Sequence, residues 1–238
     1  MAITLASSGT VASTESTALA VTLPPGIEAN DICLWHTHAQ KSTFAHAYPV
    51  GWTIPVGTIL NEAVSTRTLG ISFAWQRMAG GESGQVSVTH GGASTSVVMA
   101  AISLWRGVST GIVAPYSTLA STTANSSLYN TEGLALSDTN HVCVYLMSIA
   151  DDQATMSSLS SQVGLDPLTI GYNTEVALGG GSILGMQYAQ ATSSGTAQGG
   201  TERHGTVEVW SAFEIALMAS TDVPLFTPPG NFCLMGIQ

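Results

Sequence analysis

The sequence predicts an all-β protein, an antiparallel β-sandwich that is jelly-roll-like and carries an extended C-terminal arm. Three observations predict this class. Bulky residues alternate with small or polar ones over residues 69–78, which is the two-residue period of a half-buried strand. Glycine-containing segments at 79–84 and 90–95 interrupt the alternation, as tight turns do. Residues 97–105 are apolar on both faces, which is typical of a strand in the middle of a packed sandwich.

The same kinds of pattern predict strands along most of the chain. The predicted strands are residues 3–6, 18–23, 31–38, 53–60, 67–78, 85–89, 96–106, 141–149, 169–172, 183–191 and 204–217. No segment shows a sustained 3.6-residue apolar period of helical length. Many strands without intervening helices favour a sandwich or jelly roll over a parallel sheet.

A chain of 238 residues suffices for one large β domain or two small ones. We predict one sandwich over residues 1–220 and a docking tail over 221–238. Three prolines exclude a long helix in the tail. Because an apolar segment is costly to leave in water, we expect the tail to dock on its own domain or, preferentially, on a partner. The side chains predicted to dock are Leu225, Phe226, Phe232, Leu234, Met235 and Ile237.

The chain is unusually poor in charge. Charged residues make up 8% of it, against roughly 25% in average soluble domains, so its surface must be built from small uncharged side chains. Such a surface provides little charge repulsion between monomers, so we expect assembly into an oligomer or a larger particle. Residues 107–131 contain no charged residue and are predicted to be a long surface loop or a strand lying on a neighbouring subunit.

The charge balance excludes one class of partner. The formal net charge is −10, from 15 acidic and 5 basic residues. Lys41 is the only lysine and the four arginines are scattered. Because no basic patch exists to neutralise phosphates, direct nucleic-acid binding is not expected.

The cysteines and the N-terminal sequence indicate the cellular compartment in which the protein is made. Cys33, Cys143 and Cys233 are far apart, and the first two lie in apolar runs, so we predict buried free thiols there. The N-terminus lacks a basic region followed by an apolar stretch, so synthesis in a host cytoplasm without a signal peptide is expected. No apolar run approaches the roughly 20 residues of a membrane helix, so no membrane partner is predicted.

Several motifs occur together in the first half of the chain. Residues 23–40 run from a Pro-Gly turn through Asp31 into an apolar strand. The turn Gly51-Trp52 follows, then a strand ending at Gly80-Gly81-Glu82, then a buried strand ending at residues 105–108, Trp-Arg-Gly-Val. In order and spacing, over about residues 20–110, this set resembles β-sandwich domains of bacteriophage virion proteins of the decoration, fibre and tail type. Asn30 replaces the usual glycine before Asp31, and asparagine tolerates the left-handed conformation that this turn requires.

The resemblance implies a structural protein of the virion. Within virions we expect a protein that decorates or cements the capsid by binding neighbouring subunits such as the major capsid protein, with a homotrimer as the favoured oligomer. One alternative is a tail, baseplate or fibre component. Another is a carbohydrate-binding module that recognises a host glycan.

Histidines and aspartates supply the candidates for metal binding. His36 and His38 share a face of a predicted strand and, with His46, could bind a metal. The alternative, hydrogen-bonded or surface histidines near a sheet edge, is favoured because no carboxylate or cysteine has a matching offset. Asp151 and Asp152 could bind calcium or act as acid and base. Solvated loop carboxylates are the favoured interpretation, so no metal or cofactor is predicted.

No catalytic residue is predicted either. The sequence contains no G-x-S-x-G, Walker or HExxH motif, and we expect no enzyme activity. Asp31 and Glu82 are predicted to fix turns. Arg77 and Arg106 are predicted to reach the sandwich rim or pair with an acid. Packing in the core is favoured over a sugar-stacking platform for the five tryptophans, Trp35, Trp52, Trp75, Trp105 and Trp210.

Overall fold

The structure, a computed structural model, confirms the all-β class. It describes residues 2–40, 46–55, 60–64, 67–90, 97–110, 114–129, 133–150, 161–176, 182–199 and 202–220. Throughout this part of the chain the strand pairings are antiparallel. Within the same residues, no helix is of a length and hydrophobicity that would cross a membrane.

The described strands are numbered in chain order. They are β1 (Thr4–Ser7), β2 (Ala12–Thr14), β3 (Ala18–Thr22), β4 (Ile32–Gln40), β5 (His46–Ala47), β6 (Leu60–Val64), β7 (Arg67–Arg77), β8 (Gln85–His90), β9 (Val98–Arg106), β10 (Tyr116–Tyr129), β11 (Leu134–Leu136), β12 (His141–Ile149), β13 (Ser161–Val163), β14 (Thr169–Val176), β15 (Ser182–Gln190), β16 (Gly195–Gly199) and β17 (Glu202–Met218). We call β1–β9 the N-unit and β10–β17 the C-unit.

Each unit has an inner sheet and an outer sheet, and the strand order is the same in both. The N-unit inner sheet runs β1-β9-β4-β7-β6, with β2 also on β9, and its outer sheet runs β3-β8-β5. The C-unit inner sheet runs β10-β17-β12-β15-β14, and its outer sheet runs β11-β16-β13. β1 and β2 together correspond to β10, and β3 to β9 then correspond, in chain order, to β11 to β17. The chain therefore contains one sandwich topology twice.

That topology is jelly-roll-like. Counting β1 and β2 as one strand, the first strand of the N-unit pairs with its last, the second with the seventh and the third with the sixth, as β1–β9, β3–β8 and β4–β7. The C-unit repeats these nested pairs as β10–β17, β11–β16 and β12–β15. One sandwich of two sheets was expected over residues 1–220, whereas the described part has four sheets.

The four sheets stack with three apolar layers between them. The central layer joins the two inner sheets and contains Phe73 and Trp105 from the N-unit with Leu146 and Phe213 from the C-unit. A second layer lies between the N-unit sheets, where Trp35 packs with Leu19 and Val88. The third lies between the C-unit sheets and includes Tyr145 and Leu134. Because the largest layer is shared, each unit covers an apolar face of the other.

Contacts across the central layer are reciprocal. Phe73 on β7 packs edge-to-face on Phe213 of β17, with ring centroids 5.2 Å apart. Trp105 on β9, the strand that matches β17, packs on Tyr188 of β15, the strand that matches β7, at 5.3 Å. The two units therefore meet through the same pair of strands, as the two halves of a two-fold contact do.

The shared layer corrects one sequence-based expectation. The alternation in β7 predicted a half-buried strand, but residues from Leu69 to Ala74 are buried on both faces. The bulky members face the C-unit and the small members face the outer sheet of their own unit. Alternation here separates the shared central layer from the layer between the two N-unit sheets and does not separate core from solvent.

Two other predicted elements also differ in the structure. The predicted strand at 53–60 is wrong over 53–55, where Thr53 forms only an isolated bridge with Trp75, while its last residue, Leu60, is the first residue of β6. Pro55 has no N–H to donate to a ladder, so a strand does not continue through it. Residues 107–131 were expected to be a loop or a strand on a neighbour. Instead Tyr116–Tyr129 pairs with β17 of its own chain.

Candidate functional site

A group of buried polar side chains lies between the two inner sheets. His36 and His38 come from β4, Ser148 from β12, Tyr172 from β14 and Ser182 from β15. We call these five residues the inter-unit polar layer. His36 and His38 share a face, as predicted, but β4 is the central strand of its sheet and both rings are fully buried. The expectation of surface histidines near a sheet edge is therefore wrong, while the expectation of hydrogen-bonded histidines is confirmed.

Each histidine is hydrogen-bonded to hydroxyl groups of the other unit. His36 Nδ1 lies 3.2 Å from the Tyr172 hydroxyl and His36 Nε2 lies 3.0 Å from Ser148 Oγ. His38 Nε2 lies 2.9 Å from Ser182 Oγ. Because a neutral imidazole has one N–H, one of the two hydroxyl groups at His36 must donate to the ring and the other must accept. These bonds join the two units in one register.

Burial determines the charge of these rings. Desolvation, followed by the neighbouring His38 and His46, lowers the pKa of His36 well below its usual range. Desolvation and the nearby His46 lower the pKa of His38 to about 3. Both rings are therefore neutral at pH 7, and protonating either ring would place an unpaired charge in the buried layer.

His46 lies on the other face of the N-unit inner sheet. Its Nδ1 is hydrogen-bonded to Ser72 Oγ, and the Tyr48 hydroxyl is 2.6 Å from Ser72 Oγ and donates to Thr37 Oγ1 at 3.0 Å. The sheet thus separates His46 from the side chains of His36 and His38. In the described part of the chain, no three His, Cys, Asp or Glu residues are grouped as metal ligands.

Three serine–histidine contacts raise the question of nucleophilic catalysis. A catalytic serine needs a histidine base, a group that orients this base, and access to substrate. Ser148, Ser182 and Ser72 are fully buried, so no substrate in solvent reaches their hydroxyl groups. The hydrogen bonds at His36 go to hydroxyl groups and not to a carboxylate. The arrangement serves to join strands and not to activate a nucleophile.

A cleft of about 330 Å³ lies where the ends of β9 and β17 meet. Arg106 lines it and donates through Nε to Asp31, with both contacts at 3.2 Å, while its Nη2 lies 3.0 Å from Glu28 and donates to the Gly26 carbonyl. The predicted pairing of Arg106 with an acid is confirmed. These contacts join the Pro-Gly turn to the end of β9.

The predicted turn residues behave as expected. Asp31 Oδ2 accepts a hydrogen bond from the Glu28 N–H at 2.9 Å. Glu82 accepts from the N–H groups of Ala79 and Gly80, at 2.6 and 2.8 Å, and these bonds lower the pKa of its carboxyl group against the opposing effect of desolvation. Asn30 has φ of 72°, the left-handed conformation predicted for it.

Arg77 contacts the ends of both units. It donates to the carbonyl groups of Asn30 and Ser109, at 3.2 and 2.6 Å, which places it at the rim as predicted. Cys33 and Cys143 are buried free thiols, as predicted. Burial, with smaller contributions from nearby carboxylates, raises the pKa of each to about 12, so both stay protonated and unreactive.

The tryptophans do not form an exposed platform. Trp35, Trp105 and Trp210 are fully buried, which confirms core packing for these three. Trp52 is partly exposed, and its ring packs edge-to-face on Trp35 with centroids 4.9 Å apart.

The outward faces of the two outer sheets are the most distinctive surfaces of the described chain. On β3 and β8 the side chains exposed to solvent are small or uncharged: Ala18, Ala20, Thr22, Gln85, Ser87 and Thr89. On β11 and β16 the exposed residues include Ala135, Gly195 and Thr196. Large exposed hydrophobic residues in the described chain are limited to Val50 and Ile170. We call these the outer faces; their exposed residues named above are small or polar and carry no charge.

Comparison with protein-family models, with curated proteins and with solved structures found no significant match. The resemblance to virion proteins therefore depends on the sequence motifs alone. The apolar residues predicted to dock lie in the tail, outside the described residues, as do Asp151 and Asp152. The sequence analysis missed Ser148, Tyr172 and Ser182, since hydroxyl residues in strands give no signal of their partners.

Proposed function

We propose that this chain is a structural subunit of a bacteriophage particle, in which it decorates the capsid by packing against neighbouring capsid proteins. The observation that carries the proposal is the composition of the outer faces. The exposed residues of β3 and β8 are small or polar and bear no charge. The resemblance of residues 20–110 to phage virion sandwiches agrees with this composition and is independent of it.

Such faces suit permanent contact with other proteins. Lysine and glutamate are depleted at protein interfaces, because burying them costs side-chain entropy and desolvation free energy. Ala20, Ser87 and Thr89 lose little rotamer entropy when covered. The hydroxyl groups of Ser87 and Thr89 and the edge strands of the sheet can still form hydrogen bonds with a neighbour. The contact that this chemistry supports is broad and polar.

The internal construction supports the same role. A shared central layer and the inter-unit polar layer join two sandwiches into one body with outer faces on opposite sides. A body of this kind can contact two neighbours at once. In a capsid, simultaneous contacts on both sides would strengthen the shell without any catalytic group.

The test is incorporation into capsid shells. The chain is expressed with the shell proteins encoded in the same genome, and assembled shells are sedimented through sucrose at low and high NaCl. We expect the chain to sediment with shells, and to remain bound in about 1 M NaCl because few charges are available for screening. Release at moderate salt, recovery with tail assemblies alone, or absence from all particles would contradict the proposal.

Variants of the outer faces test which surface is used. Lysine at Ala20 and Ser87 adds charge to the N-unit outer face, and lysine at Thr196 does so on the C-unit outer face. Ser83→Lys is the matched control, since Ser83 is also exposed but lies in a turn. We expect the outer-face variants to be lost from shells while the control is retained. Equal retention of all variants would rule out the outer faces as the contact.

A further inference from the structure

The C-unit has an unusual edge strand. β10 (Tyr116–Tyr129) is 14 residues long and lies at the edge of its inner sheet, where it pairs with β17. Among the described strands, β10 is hydrogen-bonded to β17. Its sequence, YSTLASTTANSSLY, contains neither a charged residue nor a proline. Long edge strands of this kind present a row of unpaired backbone groups that pair readily with another strand.

The matching edge of the N-unit is protected. There the position of β10 is occupied by two short strands, β1 of four residues and β2 of three. Gly9 lies between them with φ of 67°, and a Cβ at this position would lie 2.1 Å from the Ile102 carbonyl oxygen. The chain therefore bends sharply against β9, and the broken edge does not offer a continuous ladder.

The remaining described edges are also protected by charge or by length. β6 contains Glu62 and β14 contains Glu175, and a charge in an edge strand opposes pairing. The edge strands of the outer sheets are no longer than five residues. Of the described edges, β10 alone combines length with absence of charge, and its pairing with β17 runs without a register shift from Thr118 to Ser126.

We propose that β10 pairs antiparallel with β10 of a second copy, joining two C-unit inner sheets into one sheet of ten strands. A two-fold contact places each strand against its own copy, so like charges would face each other if the strand carried any. The uncharged sequence of β10 meets this requirement. The second copy is thus a partner that the edge fits in both length and charge.

The tail is the competing occupant within the same chain. Residues 221–238 follow Ser220, and Pro224, Pro228 and Pro229 have no N–H to donate to a ladder. Only the nine residues 230–238 follow the last proline, which is too few to cover 14 residues of β10. A second copy covers the whole edge, and for this reason we favour it.

The oligomeric mass is the first test, and it uses the purified full chain alone. Light scattering after size exclusion is expected to give twice 24.5 kDa at micromolar concentration. This differs from the trimer expected from the sequence. A monomer at all concentrations up to about 100 μM, or a trimer, would overturn the proposal. Failure here leaves the capsid proposal standing, since that proposal is tested with shells.

Cysteine scanning then locates the contact. In a Cys233→Ser background, single cysteines at Ser121, Thr122, Thr123 and Ala124 are oxidised, with Thr169→Cys on the β14 edge as the control. We expect a covalent dimer to form at one or two neighbouring β10 positions and to fall off on either side, as an antiparallel two-fold contact requires. Equal cross-linking at Thr169, or none along β10, would overturn the proposal.

Charge variants separate loss of contact from loss of folding. Thr122→Lys/Thr123→Lys and Thr122→Asp/Thr123→Asp are each expected to weaken the dimer about ten-fold or more in Kd through like-charge repulsion. A mixture of the two is expected to restore dimers, which misfolded proteins would not do. If deletion of residues 221–238 converts a monomer into a dimer, the tail covers β10 in its own chain and the proposal is wrong.

Discussion

At equivalent register positions the N-unit and the C-unit carry different side chains. Cys33 and Cys143 occupy the same place in β4 and β12, opposite Leu104 and Ala216. Three residues further on, the N-unit has His36 where the C-unit has Leu146. The topology therefore does not depend on which side chain fills the central layer, provided that polar groups there find partners.

The two units also differ at one edge of their inner sheets. The N-unit edge is broken at Gly9 into β1 and β2, whereas the C-unit edge is the single 14-residue strand β10, paired with β17 without a register shift from Thr118 to Ser126. A fold that occurs twice in one chain can therefore present one closed edge and one open edge. If β10 pairs with a second copy as proposed, this asymmetry would limit the contact to one edge and prevent open-ended growth from both edges.

The largest expected effect tests whether the two units form one cooperative body. Phe213→Ala removes a ring from the shared layer and is expected to destabilise the protein by about 3–5 kcal/mol. Urea unfolding monitored by tryptophan fluorescence and by far-ultraviolet circular dichroism should show one transition, displaced to lower urea by both probes. Leu134→Ala in the C-unit outer layer is the control for a layer that is not shared. Two transitions, of which Phe213→Ala moves only one, would show that the units unfold independently.

The next effect is the loss of folding stability in acid, which we expect to come from histidines of the N-unit. The folded-state pKa of His38 is about 3, below the value of roughly 6.5 in an unfolded chain. The unfolded state therefore binds more protons, so stability is full above pH 6.5 and is lost as the pH falls from there towards 3. The expected slope is about 1.4 kcal/mol per pH unit for each such histidine.

Urea unfolding at pH 7.5, 6.0, 5.0 and 4.5 measures this slope. His36, whose pKa is also lowered by burial, contributes in the same direction. His38→Gln retains a hydrogen-bonding group but does not titrate, so the variant should show a shallower loss of stability with acid. An unchanged slope in this variant would contradict the assignment of the acid sensitivity to the N-unit histidines.

A smaller effect tests the bonds between the units. His36→Leu makes the N-unit resemble the C-unit at this position and leaves the Ser148 and Tyr172 hydroxyl groups without the ring. The expected cost is about 1–3 kcal/mol. His36→Leu/Ser148→Ala should recover part of this loss, because it removes one of the two abandoned hydroxyl groups. If the two substitutions are additive in urea unfolding, the His36–Ser148 bond does not couple the units.

The smallest effect compares the two matching turns. Asn30 precedes β4 with φ of 72°, while Asn140, which precedes β12, is not among the residues with positive φ. Asn30→Ala is expected to cost about 1 kcal/mol, and Asn30→Gly only a few tenths. Asn140→Ala is the matched control and should cost less than Asn30→Ala. Equal costs at both positions would show that the left-handed backbone does not determine the requirement for asparagine.

The sequence predicts the inner strands better than the outer ones. Residues 141–149 were predicted as a strand with the bounds that β12 has, because a long apolar run gives a clear signal. Short strands such as β11 and β16 gave no such signal, since a segment of three to five residues is too short to show a period. β10 was not recognised as a strand of this chain because its composition is that of a polar loop.

The repeated topology also could not be read from the sequence. β4 and β12 share the Cys33 and Cys143 positions and a preceding asparagine, but Trp35 matches Tyr145 and His36 matches Leu146. Two sequences that share an apolar pattern but few identical side chains can form the same sheet. For the same reason the partners of His36 and His38, which come from the other unit, were outside the reach of local pattern analysis.

The most direct test of the central claim is a cryo-electron microscopy reconstruction of capsid shells assembled with this chain. The account predicts that density for the two joined sandwiches lies on the shell, with at least one outer face, such as the face containing Ala20 and Ser87, covered by a neighbouring subunit. A reconstruction in which the chain is bound and both outer faces remain open to solvent, or in which it is absent from the shell, would contradict the account.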